Sequence, residues 1–272
     1  MKKYPIGFST NFDKKTEDEK AATVAQELKE PKKSLVKVYF PHRDMGWAYY
    51  NDQFDLKVGD IVFVEGKLEG YPGRVTEVNY SFKIKLSEYK KVIAVADTNV
   101  KGEFCLAESH LVSFDKNTIP KEKVSTWFIP PVDEDEFIVC DDNSKIIPLD
   151  DLSKMNISHD EHDRGYAYYL ESKVSYIEVD GTCGYAIVEG SKPYEIEFNY
   201  EEGAITNIRC SCFCGGACRH EFAAMLQLRE TLAIISDNYQ DENGGYFAII
   251  SRDVFNRKVI NKKVSGKIKV EV

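Results

Sequence analysis

The 272-residue chain has no uninterrupted apolar run near the length that crosses a bilayer. It also has no Gly-rich phosphate loop, no Gly-x-Ser-x-Gly elbow and no His-Glu-x-x-His helix. The usual signatures of nucleotide hydrolysis, serine hydrolysis and zinc proteolysis are therefore absent. No internal repeat or low-complexity tract is present. The first residues, Met1-Lys2-Lys3-Tyr4-Pro5, do not open the continuous apolar segment of a secretory signal. Seven cysteines are an odd number, which argues against a closed disulfide framework. A reducing, cytoplasmic setting is the expectation, and it suits cysteines used as thiolates.

A net charge of −9 makes the whole chain a poor non-specific partner for polyanions. The charge is uneven, however. Residues 101–200 hold 21 acidic and 9 basic side chains, whereas 251–272 hold 2 and 7. The basic C-terminus (Arg252, Arg257, Lys258, Lys262, Lys263, Lys267 and Lys269) is the local candidate for a phosphate-binding patch. Neutralisation of the acidic middle segment within the same chain is an equal alternative.

Chemistry concentrates in one stretch, Cys210-Ser211-Cys212-Phe213-Cys214-Gly215-Gly216-Ala217-Cys218-Arg219-His220. Two turns of backbone, each offering ligands two residues apart, can supply the tetrahedral thiolate and imidazole set that Zn²⁺ prefers. Cys210 and Cys212 make the first pair, Cys218 and His220 the second. Cys214 is a reserve ligand that can replace Cys212. Four protein ligands close the coordination sphere, which marks a structural site for one Zn²⁺ rather than a catalytic one. Three thiolates leave the centre near −1, and Arg209 and Arg219 flank it as possible counter-charges.

Cys-x-Cys, a short spacer, Cys-x-His and then an apolar helix, over about residues 185–235, resembles a SWIM-type zinc finger. A strand, Ala204 to Arg209, runs into the first pair, and Cys218-Arg219-His220 leads into a helix with Phe222, Met225, Leu228, Leu232 and Ile235 on one stripe. The spacer of five residues is short for that family. The resemblance implies binding to DNA or to DNA-associated proteins, with a helicase-like ATPase as a separate partner. A finger of this size implies that metal supplies much of its folding free energy.

The remaining chain reads as α+β. Thr16-Glu17-Asp18-Glu19 opens a helix to about Glu30 within an N-terminal arm, residues 1–33. Residues 34–100 alternate with period two. Strands are expected at 35–40, 46–50, 60–65, 74–78, 82–86 and 91–95, curled into a small β-barrel. Leu56 to Val64 followed by Pro72 to Val78 is similar to segments of SH3-like barrels and of the N-terminal barrels of primosomal (PriA-type) helicases. Lys67, Arg74, Lys83, Lys85, Lys90 and Lys91, with Trp47, Tyr49, Tyr50 and Tyr71, form either a stacking face for bases or a solvated exterior around a core. Residues 101–160 form an acidic connector with too much apolar area for disorder, expected as an ordered but irregular segment with a few short strands lying across both domains. Residues 161–272 form an antiparallel sheet with strands at 166–170, 174–179, 185–188, 195–198, 205–209 and 246–250, carrying the finger at 205–235. Ser251 caps a short helix to Val259. His159 and His162, three apart, read as a loop or helix entry, or else as a second metal site or base.

The expectation is thus a zinc-binding, non-catalytic interaction protein supporting contact with DNA or a DNA-associated partner. Two alternatives stay open. One is a protein–protein adaptor that never touches nucleic acid. The other is a thiol or redox enzyme built on Cys214. No membrane partner and no small-molecule substrate is indicated.

Overall fold

The computed structural model describes residues 31–107, 110–131, 145–214, 216–236, 245–259 and 268–270. The helix expected up to Glu30, the run Asp133 to Glu136, and Lys262, Lys263 and Lys267 lie outside them. The architecture is mixed α+β, with two largely antiparallel sheets and few helices.

The first sheet holds β1 (Ser34–Phe40), β2 (Met45–Asn51), β3 (Ile61–Val64), β4 (Gly73–Asn79) and β5 (Val92–Ala96), in the order β2-β1-β4-β3-β5. The expected barrel is not closed. Its edge strands β2 and β5 meet only at one parallel bridge between Tyr50 and Lys91, with Tyr50 N donating to Lys90 O at 2.9 Å. The ladder goes no further, and Met45 and Trp47 stay exposed along the rest of the β2 edge. The strand expected at 82–86 is absent too. That stretch is largely exposed and ends in a 3-10 turn at Leu86–Glu88, since β4 already has neighbours on both sides.

The second sheet has nine strands. They are β6 (Phe104–Ala107), β7 (Leu111–Phe114), β8 (Ile147–Pro148), β9 (Val174–Asp180), β10 (Cys183–Glu189), β11 (Pro193–Glu201), β12 (Ala204–Cys210), β13 (Tyr246–Ser251) and β14 (Ile268–Val270). Their order is β14-β6-β7-β13-β9-β10-β11-β12-β8, and only β14 and β6 run parallel. The segment read as a connector therefore supplies three strands of this sheet.

Among the described residues, four α-helices accompany the sheets: α1 (Lys121–Ser125), α2 (His159–Leu170), α3 (Arg219–Ser236) and α4 (Arg252–Val259). Residues 166–170, expected as a strand, are the end of α2. The helix is started by Ser158, whose Oγ accepts from Glu161 N at 3.3 Å, and Asp160 and Glu161 complement the positive end of its dipole. Alternating aromatics in Tyr166-Ala167-Tyr168-Tyr169 imitate a strand, but Tyr168 and Tyr169 pack as a helical pair against the core. Gly165 lets α2 approach α3. A Cβ there would stand 2.9 Å from Arg219 O and from Phe222 Cδ1.

Packing explains the apolar runs. One face of the large sheet buries Ile177, Ala186, Val188, Ile196 and Ile205 beneath α3. The opposite face buries Tyr176, Ile187, Ala248 and Ile250 with Trp127, Phe128, Phe255 and, from the first sheet, Ile61 and Phe63. Val62 and Val64 turn the other way, into the interior of the first sheet. β3 is buried on both faces, which is why Ile61-Val62-Phe63-Val64 is continuously apolar.

Candidate metal centre

β12 carries Cys210 as its last residue, and α3 begins nine residues later with Arg219 and His220. The turn between them folds back because both ends are fixed. Ser211 N donates to Glu195 O and Ser211 Oγ accepts from Glu195 N, each at 2.9 Å, which ties the first ligand turn to β11. Cys218 O accepts from Phe222 N at 3.0 Å, and the Glu221 carboxylate accepts from Cys218 N at 3.0 Å. This is the reciprocal arrangement of a helix cap, with Cys218 at the cap position and Glu221 reaching back.

Cys210, Cys212, Cys218 and His220 come together, their four donor atoms all within 4.8 Å of one another. His220 Nδ1 lies 3.8 Å from Cys210 Sγ and 3.7 Å from Cys218 Sγ. Zinc bonds of about 2.3 Å to sulfur and about 2.0 Å to nitrogen give tetrahedral edges of roughly 3.5–3.8 Å. The residues present therefore fit a tetrahedral metal ion. Cys214 is exposed and is not one of the four converging donors.

The donors are held by their surroundings. Cys218 is fully buried and His220 is 4% exposed. The imidazole stacks on Tyr194, with centroids 4.2 Å apart and planes inclined by 27°, and Tyr168 of α2 flanks it at 5.6 Å. Its other nitrogen faces the β10–β11 turn, where a Cβ on Gly190 would stand 3.2 Å from Nε2. Phe213, by contrast, projects wholly into solvent from the turn between the ligand pairs.

Three thiols in one recess cannot all ionise without a cation. The hydrogen bond from Cys210 holds Cys218 down at about 4, with His220 reinforcing it. The same contact, with burial, pushes Cys210 far up. Burial, then the neighbouring Cys214 thiol, pushes Cys212 up to about 12. Burial, then the Cys218 charge, pushes Glu221 up to about 8. A divalent ion would reverse this balance by drawing the protons off the remaining thiols.

The expected counter-charges are otherwise engaged. Arg209 pairs with Glu197 at 2.8 Å. Arg219 Nε lies 3.1 Å from Glu161 of α2, whose carboxylate also accepts from Arg219 N at 3.1 Å. Of the C-terminal candidates, Arg252 is exposed. Arg257 is 3.9 Å from Glu189 and donates to Asp253 O, and its own carbonyl accepts from Arg74 of the first sheet. Lys258 donates to Trp127 O at 2.6 Å, and burial pushes its pKa down to about 8. Lys269 lies in β14, beside β6.

The proposed stacking face of the first sheet is not assembled as one surface. Tyr49 and Tyr50 are buried, Tyr71 stacks on His42 at 4.1 Å, and Lys91 pairs with Asp52 at 2.9 Å. Sequence reasoning missed Tyr194, Gly190 and Glu161 as supports of the centre. Only Glu221, three residues after a cap position, carried a local signal. No protein-family model, curated protein or solved structure matches the chain. No helix among the described residues is long and apolar enough to cross a membrane.

Proposed function

We propose that the chain is a zinc-binding, non-catalytic interaction protein. The observation that carries this reading is the convergence of three sulfurs and His220 Nδ1 at tetrahedral spacing, at the junction of β12 and α3. Four protein donors fill a tetrahedral sphere and leave no position for water or substrate, so the ion is structural. Zinc suits this borderline-soft donor set, as the SWIM-type resemblance also implies. Its role is to hold the turn that carries Phe213 against the sheet edge.

Two partner classes follow. The resemblance favours DNA or a DNA-associated protein such as a helicase-like ATPase. Two of the described cations favour a protein partner without nucleic-acid contact, because Arg219 faces the Glu161 carboxylate and Lys258 donates to the Trp127 carbonyl. Metal analysis and fluorescence anisotropy test the two parts separately. The purified chain is expected to hold one zinc, and well under one per chain refutes the metal reading. Zinc-loaded protein is then titrated against labelled single-stranded DNA, duplex DNA and RNA at low and near-physiological salt. Binding that weakens steeply with salt selects nucleic acid, because phosphate contacts release counterions. No binding at low salt selects the protein adaptor.

A further inference from the structure

The first turn of α2 carries a second group of metal donors that the thiolate centre does not use. One ring nitrogen each of His159 and His162 and a carboxylate oxygen of Asp163 lie within 4.8 Å of one another. Asp163 is 3.7 Å from His159 and 3.2 Å from His162. Helical spacing brings them together, since residues i, i+3 and i+4 share one face. An ion with bonds of about 2.1 Å sets neighbouring ligands about 3.0–3.4 Å apart, so modest side-chain rotation completes the set. His162 is already positioned. Its ring lies 4.6 Å from that of the buried Phe222 of α3. The positive end of the helix dipole opposes a cation here. Asp160 and Glu161 in the first turn offset it.

The donor chemistry narrows the ligand. Two imidazoles and one carboxylate suit Zn²⁺, Co²⁺, Ni²⁺ or Cu²⁺, whereas Ca²⁺ and Mg²⁺ select all-oxygen sets. All three side chains are exposed, unlike the buried thiolate centre. Three protein ligands also leave positions for water. We propose that His159, His162 and Asp163 form a second, solvent-open site for an exchangeable divalent first-row transition ion. An ion there ties down the first turn of α2, whose Glu161 holds Arg219 at the start of α3.

The test loads the full 272-residue chain with cobalt(II). Bound metal is counted by equilibrium dialysis while the thiolate-to-cobalt charge-transfer band is followed by absorption. Two equivalents are expected, the second adding nothing to that band. The paired change His159→Gln and His162→Gln should lose the second equivalent and keep the band, with circular dichroism unchanged. Asp163→Asn should weaken the same equivalent. A wild-type chain that binds one equivalent, carrying the band, overturns the proposal. Two equivalents retained by the paired variant also overturn it, leaving an adventitious ion only. A histidine-dependent equivalent without any thiolate band would instead sink the finger reading and leave this site standing.

Discussion

Chelating the metal should loosen the turn between Cys210 and His220 without unfolding the protein. A small isolated finger unfolds when its metal is removed, because ligation supplies most of its folding free energy. Here α3 has another anchor. Phe222, Met225, Leu226 and Leu228 are all buried in the core beneath the large sheet. At about 1.5–3 kcal/mol each, these four contribute roughly 6–12 kcal/mol that does not involve the metal. An extended unfolded reference makes that an upper figure. Ligation adds about 4 kcal/mol when free zinc stands near a thousand times Kd. For a chain of this size, that lowers Tm by on the order of 10 °C on chelation. Thermal melts with and without chelator read the shift. Hydrogen exchange should show lost protection near residues 208–220 and retained protection across Phe222 to Leu228. Collapse of the far-ultraviolet helical signal at 25 °C on chelation would refute the reasoning.

Zinc uptake at pH 7 should release protons, chiefly from Cys210 and Cys212, whose thiols burial and their neighbours push up, while hydrogen bonds hold Cys218 low. Affinity should therefore rise with pH, and calorimetry in buffers of different ionisation enthalpy should show net proton release; no release would contradict thiol ligation. Gly165→Ala gains about 1 kcal/mol of helix propensity but sets a Cβ 2.9 Å from Arg219 O, a backbone atom. Overpacking of about 1–3 kcal/mol wins, so Tm should fall, and a rise would contradict the close helix approach. Gly184→Ala drives a Cβ into the Phe198 ring and should destabilise by a similar 1–3 kcal/mol in urea melts. Glu178 is raised above the ordinary carboxylate value, chiefly by burial. Its ionisation opposes folding, a penalty absent below the unfolded pKa and complete above the folded one. Glu178→Gln should thus raise Tm at pH 8 and leave it unchanged at pH 4, and an equal gain at both would remove burial as the cause.

Much of the local structure was legible because it is written in short-range chemistry. Strands β9 to β12 follow from alternation broken by Asp180-Gly181, Glu189-Gly190 and Glu202-Gly203, and the stretch that holds the donors follows from ligand spacing. The failures share a cause. At 166–170 the alternating tyrosines suggested a strand, but a cap at Ser158 and the surface of α3 decided for a helix. At 82–86 the pattern was right for a strand, but β4, the strand before it, already pairs with β1 on one side and β3 on the other.

By itself, the sequence determined the α+β class and confined the donors to Cys210–His220, since strand periodicity and ligand spacing act over a few residues, while the fold decided that Cys212 converges and Cys214 does not. Only the tertiary structure decided that the short strands of 101–160 join the large sheet, that β2 and β5 stop short of closing a barrel, and that Arg219 and Lys258 are engaged within the chain. The physical reason is that a charge or an edge is free or engaged according to what lies across from it. Glu161 and the Trp127 carbonyl reach those cations from distant points in the chain.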